Sequence, residues 1–223
     1  MANNAIDHSS GQTLDVHASL VGRSLHVTLE DDGVGAFERV RSDLHLANHL
    51  EALQELSKGK TTTAPNAHTG EGLFFTSKAV EHFRLESGEL AWIVDRAVND
   101  VAVAKLNEEV QGTRIVLEVD LNSTRTLESV FDAYTEDFEF SKTQVVIKLF
   151  EVGVRFISRS EAKRLMQNLD RFRHVVLDFK GVEAIGQGFA DEVFRVWATA
   201  HPGVTLEPIN MIEPVAFFVS RAR

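Results

Sequence analysis

Apolar and polar residues alternate from Leu14 onward. Leu14, Val16, Ala18 and Leu20 fall on one side of an extended chain, and Asp15, His17 and Ser19 on the other. Val21-Gly22-Arg23 turns the chain, and Leu25, Val27 and Leu29 then alternate with Ser24, His26, Thr28 and Glu30. A period of two predicts a half-buried antiparallel hairpin. It runs straight into Asp31-Asp32-Gly33-Val34-Gly35. Ahead of it, residues 2–9 read as the end of a helix with Gly11 as its stop. So short a helix is marginal at a terminus, so an element whose earlier part lies upstream is expected. Residues 43–57 read as an amphipathic helix with Leu46, Leu50, Leu53 and Leu56 on one face. From Lys58 to Gly72 the period is lost among glycines, threonines, Pro65 and Asn66, which predicts a mobile loop. A helix over 73–83 and strand-like runs at 83–86, 90–97 and 113–119 follow.

Past residue 140 the rhythm changes to strands alternating with helices. Runs at 145–150, 174–179 and 204–209 read as strands, the middle one apolar enough to be central. Ser158-Arg159-Ser160-Glu161 is a capping box for a helix burying Ala162, Leu165, Met166 and Leu169. Further helices are expected over 188–200, with Phe189, Val193 and Trp197 in register, and over 213–221. Such an order predicts a small α/β domain. The polar, acidic stretch 122–140 reads as a linker between domains at 1–121 and 141–223.

Composition narrows the function classes. The 223 residues carry a formal charge of −10, which disfavours direct nucleic-acid binding. With no cysteine, disulfides and thiolate metal sites are excluded. No apolar run approaches the ~20 residues that cross a bilayer, and residues 1–8 lack the pattern of a signal peptide, so a cytoplasmic protein is expected. His45 and His49 sit four apart without an evident third metal ligand.

Short motifs in the first half matter through their order. Asn4-Ala5-Ile6-Asp7-His8 ends a helix and Asp31-Asp32-Gly33-Val34-Gly35 ends a strand. A long loop follows, then Gly70-Glu71-Gly72-Leu73-Phe74 opens a helix and Gly112-Thr113 opens a strand. Singly, each serves as well for a turn or a cap. Together they resemble the GHKL ATP-binding fold of histidine kinases, Hsp90, MutL and the anti-sigma-factor serine kinases. The resemblance implies an α+β sandwich of the Bergerat type, here incomplete at its N-terminus. By the same resemblance, Asn4 holds Mg²⁺ against the phosphates of ATP and Asp31 accepts a hydrogen bond from the adenine amine. It also implies that Gly33 and Gly35 let backbone approach the base, and that Thr113 stands nearby. Gly70, Gly72 and Leu73 would face the phosphates. Lys58 and Lys60, in the expected lid, read equally as lysines that reach the phosphates and as solvated loop lysines. A buried carboxylate selects an amine and rejects a carbonyl. Glycine permits close approach, and a helix start offers free N–H groups. The serine kinases place a Glu, their general base, one turn before the Asn. That position would precede Met1, so the chain is expected to lack the base, part of the helix and the preceding strand. An edge left open there would invite pairing with another chain, a homodimer included.

The second half resembles a STAS-like domain, through 175–182 (Val-Val-Leu-Asp-Phe-Lys-Gly-Val) and 185–192 (Ile-Gly-Gln-Gly-Phe-Ala-Asp-Glu). Where phosphorylatable STAS domains carry Asp-Ser-Ser-Gly, this chain has Gly186-Gln187-Gly188, with no hydroxyl. Gln187, Asp191 and Glu192 are candidate partner contacts; acidic residues at a helix start also suit the macrodipole. Three functions remain open: an ATP-dependent kinase or ATPase switch coupled to a protein partner of the STAS-like domain, a nucleotide sensor without turnover, and a transcription regulator with a DNA-binding part upstream.

Overall fold

A computed structural model describes residues 1–59, 72–98, 100–132, 144–149, 156–170 and 172–223. The chain divides into two compact units, Met1–Ala133 and Tyr134–Arg223. Both mix helices with a sheet, and among the described residues no helix is long and apolar enough to cross a membrane.

In the first unit, β1 (Leu14–Val21), β2 (Ser24–Asp31), β3 (His82–Asp95) and β4 (Asp100–Asp120) form an antiparallel sheet of order β1-β2-β4-β3. Helix α1 (Ala2–His8) precedes it. Helices α2 (Ala36–Asp43), α3 (His49–Lys58) and α4 (Gly72–Ala79) pack against β3. Burial follows that packing. Along one cross-strand row, Leu85 is 0% exposed, Ile115 7%, Leu29 8% and Val16 58%. The apolar face of β1 is therefore not half-buried as its alternation predicts. Helices shield the row from β3 to β2 and stop there, leaving Val16 and Leu20 in solvent.

Two helices replace the single one expected over 43–57. Between them His45 takes a positive φ of 54°. Asn48 caps α3: its Oδ1 accepts from the Glu51 N–H at 2.9 Å, and Glu51 Oε2 accepts from the Ala47 N–H at 2.9 Å. A cap of this kind, typically worth about 1 kcal/mol, starts a helix afresh. Leu46 drops out, while Leu50, Leu53 and Leu56 are buried. Glu38 of α2 spans the break, meeting Arg41 at 2.7 Å and His49 at 3.0 Å, and Arg41 first, then His49, pulls its carboxyl down to about 2.

Instead of three short strands, the chain makes two long ones. At Gly88 (φ 55°) the register of β3 with β4 shifts and the hairpin bends, bringing Trp92 edge-on to Phe83 at 5.2 Å. Pairing with β3 extends β4 back through Asp100–Lys105, a run (Asp-Val-Ala-Val-Ala-Lys) for which no strand is expected from the sequence. The expected linker holds a helix, α5 (Leu127–Asp132), which packs on α4 with Val130 buried.

The second unit follows its sequence pattern closely. Strands β5 (Gln144–Lys148), β6 (His174–Asp178) and β7 (Thr205–Ile209) form a parallel sheet with β6 central. Helix α6 (Arg159–Met166) starts at the capping box: Ser158 Oγ accepts from the Glu161 N–H at 3.2 Å, and Glu161 Oε2 from the Ser158 N–H at 2.7 Å. A continuous helical stretch comprises α7 (Gln187–Asp191), a π-helical segment (Glu192–Trp197) and α8 (Ala198–Ala200). Helix α9 (Glu213–Ala222) opens on Pro214 in its first turn. Ile147, Leu177, Phe179, Phe189, Val193 and Val215 lie in one buried core with Leu165 and Met166.

Candidate functional site

A cavity of about 550 Å³ opens in the first unit among α1, the end of β2, the middle of β4 and the starts of α2 and α4. Asn4, Asp31, Gly35, Gly72, Leu73 and Thr113 all line it. Gly33 is not among the lining residues. It lies beneath Ser9, whose carbonyl a side-chain carbon there would strike. Lys60 and Gly70 lie outside the described residues.

The wall of the cavity is built at the ends of two paired strands. Asp31 closes β2 and stands opposite Thr113 of β4. It is 6% exposed. Its Oδ1 accepts from the Gly33 N–H at 3.0 Å, and the N–H and hydroxyl of Thr113 donate to it as well. Thr113 Oγ1 in turn accepts from the Ala36 N–H at 2.9 Å, tying the start of α2 to the wall. Burial pushes the Asp31 carboxyl above the usual range, and the donors oppose it without cancelling it. Among the described residues no Lys or Arg pairs with it. Asp32, one position on, does opposite work. Its Oδ1 accepts from the N–H groups of Gln12 and Thr13 at 2.7 and 3.0 Å, fixing the start of β1, and those bonds pull its carboxyl down.

Two glycines make this wall possible. Gly35 has φ 85° and Gly112 has φ 69°. A side-chain carbon on Gly112 would run into the Asp31 carbonyl, and one on Gly35 into the Ser87 hydroxyl and, at 2.9 Å, the Gly112 carbonyl oxygen. Both positions need a residue that tolerates positive φ and has no bulk. Opposite the wall, the amide oxygen of Asn4 lies 3.9 Å from where a side chain on Gly72 would begin. Asn4 thus faces the start of α4.

The cavity also takes in Ser9, Leu56, Thr76 and Arg39, which no motif points to. Arg39 could have been found only by recognising that α2 starts directly after Gly35, which puts it one turn inside the cavity wall. His49 is held by Glu38 at 3.0 Å, and among the described residues no group of three or more His, Cys, Asp or Glu could hold a metal ion.

In the second unit the expected partner-contact residues have different fates. Gln187 is exposed. Asp191 is clamped by Arg195 (2.5 and 2.8 Å) and Arg159 (2.9 Å), so two guanidinium groups, beyond any helix dipole, define its setting. Arg195, then Arg159, holds its carboxyl below the usual range. Glu192 is buried, 4.0 Å from Lys163. Phe189 and Phe194 are core, and Trp197 packs at the core's edge, stacked on His201 at 4.2 Å. The loop at Gly186 is pressed onto the segment leading into α6: its N–H donates to the Phe156 carbonyl at 2.7 Å, and a side-chain carbon would come within 2.7 Å of the Ile157 Cα.

Residues 161–216 match a family described as a STAS-like domain of unknown function (DUF4325). The match begins inside α6 and ends inside α9, so the STAS-like domain includes β6, β7 and the helical stretch between them. No curated protein matches the chain.

Proposed function

We propose that the first unit is a nucleotide-binding unit of the GHKL type, taking ATP with Mg²⁺, and that the STAS-like domain is its protein-interaction partner module, the two forming a signalling switch. What supports this most is the convergence of Asn4, Asp31, Gly35, Gly72, Leu73 and Thr113, drawn from four separate stretches of sequence, on one cavity. Its volume, about 550 Å³, lies in the range of small-molecule sites. The buried Asp31 carboxylate has a preference for a hydrogen-bond donor such as an exocyclic amine. Gly35, which lines the cavity, and Gly112 behind it let the backbone segments of the wall pack closely around Asp31 and Thr113. The start of α4 presents the favourable end of its helix dipole to phosphate oxygens. The metal expectation fits the donor set: Asn4 offers one neutral oxygen, which suits an ion that keeps water and phosphate oxygens as its other ligands. When bound, such an ion neutralises phosphate charge.

The test is binding of a fluorescent ATP analogue to the full chain with Mg²⁺. Asp31→Asn is expected to abolish binding, because an amide presents its own N–H₂ where an acceptor is needed. Unchanged affinity in that variant would sink the proposal. Phosphate release alongside binding selects the kinase or ATPase form, and binding without release selects a sensor.

A further inference from the structure

We propose that Arg39 is the phosphate-reading side chain of this cavity, an inference that rests on the nucleotide reading above. Among the described residues lining the cavity, Arg39 is the one side chain with a permanent positive charge. A chain of formal charge −10 that takes a polyphosphate needs a local countercharge, and Arg39 supplies it.

Its placement is rigid. Helix α2 is pinned at its first residue by the Ala36 N–H bond to Thr113 and by Gly35 packed on Ser87 and Gly112. The Arg39 N–H donates to the Gly35 carbonyl at 2.9 Å, setting the side chain one turn from the Asp31–Thr113 wall. Asp43, a turn further on, accepts from Arg39 Nε at 2.9 Å. That bond steadies the guanidinium yet occupies only one of its nitrogens. Both η nitrogens make no other hydrogen bond among the described residues, so a forked pair of donors remains for an anion.

Arg41 on the same helix shows what a purely structural arginine looks like here. Its Nε and one η nitrogen are both spent on Glu38, at 2.7 Å each, and it does not line the cavity. The difference between the two arginines is the basis of the test.

Affinities of ATP, ADP and adenosine are measured by calorimetry with Mg²⁺ for the 223-residue wild-type chain, Arg39→Ala, Arg39→Lys and Arg41→Ala, with melting curves to verify folding. Arg39→Ala is expected to weaken ATP and ADP by about tenfold or more while changing adenosine by less than about twofold. Arg39→Lys recovers part of the loss, since a point charge replaces the fork, and Arg41→Ala leaves all three affinities unchanged. An equal loss for adenosine and ATP, or no loss for either, overturns the assignment. If the wild type binds none of the three, the nucleotide reading itself has failed and Arg39 falls with it. If Asp31→Asn abolishes binding but Arg39→Ala leaves the ATP-to-adenosine ratio unchanged, only the Arg39 assignment is wrong.

Discussion

Asp31, which ends a strand ahead of a glycine-bearing turn in the first unit, and Asp191, a turn into the helix that follows a glycine-bearing loop in the STAS-like unit, are held in opposite ways. Asp31 is buried, bonded by N–H and O–H donors, and pushed up by burial. Asp191 is partly exposed, gripped by Arg195 and Arg159, and pulled down. A carboxylate left without a cation at the wall of a cavity keeps acceptor capacity for something that enters. A carboxylate saturated by two arginines has already found its partners. The same residue type thus lines a cavity in one unit and braces the surface in the other, and only the neighbours tell them apart.

The glycines of the two units sharpen this contrast, and the largest effect is expected there. Gly112 has φ 69° and its missing side chain would strike the Asp31 carbonyl; Gly181, in the STAS-like unit, has φ 86° with nothing within 4 Å. Backbone strain on going to alanine, about 1–2 kcal/mol, is common to both. Gly112→Ala adds overpacking of about 1–3 kcal/mol. Thermal unfolding of the full chain should show a loss of about 3 kcal/mol for Gly112→Ala against about 1 for Gly181→Ala, with nucleotide affinity lost only in the former. Equal losses would mean that the strands at Asp31 separate readily to admit a side chain, and the wall would not be rigid.

Titration separates the two carboxylates next. The folded Asp31 carboxyl holds its proton to higher pH than in the unfolded chain. Between those two pKa values the folded state binds more protons, so stability falls as pH rises through that window and is greatest below it. Nucleotide affinity should move the other way, because only the ionised form accepts from an amine with full strength. Lowering the pH through the raised Asp31 pKa is therefore expected to weaken binding of an ATP analogue while the Asp31 contribution to apo stability rises, read as the change in the melting difference between wild type and Asp31→Asn. Affinity that stays flat from pH 7 down to the ordinary Asp range would break the link between Asp31 and the ligand.

How much of this was legible beforehand differs between the units for physical reasons. In the STAS-like unit each element has a local signal: the Ser158–Glu161 box, the apolar run of β6, and the register of Phe189 and Val193 in one core. Local signals and tertiary packing agree there. In the first unit the motif residues could be read, but the elements carrying them could not all be. Leucines from 46 to 56 suggested one helix because their period is continuous, while Asn48 and Glu51 start a new one by satisfying N–H groups. The stripe on β1 suggested burial because alternation reports which residues share a face and not whether anything covers it. Arg39 was invisible because α2 is short and follows the glycine turn without a cap.

The smallest effect concerns Asp191. It is held by Arg195 on its own helical stretch and by Arg159 at the start of α6, so it links two helices at the surface. Exposed ion pairs contribute little, because water screens them and long side chains lose entropy in forming them. Its pKa is depressed in the folded state, so its contribution is present above the ordinary Asp range and fades as pH falls toward the folded value. Asp191→Asn should therefore lower the melting temperature of the STAS-like unit only slightly at neutral pH, not at all in acid, and leave binding of an ATP analogue untouched. Should it instead abolish capture of a protein partner while melting is unchanged, the two arginines would be holding Asp191 in place for that partner. Asp191 would then be a contact residue after all, and the contrast with Asp31 would narrow to the kind of ligand each one meets.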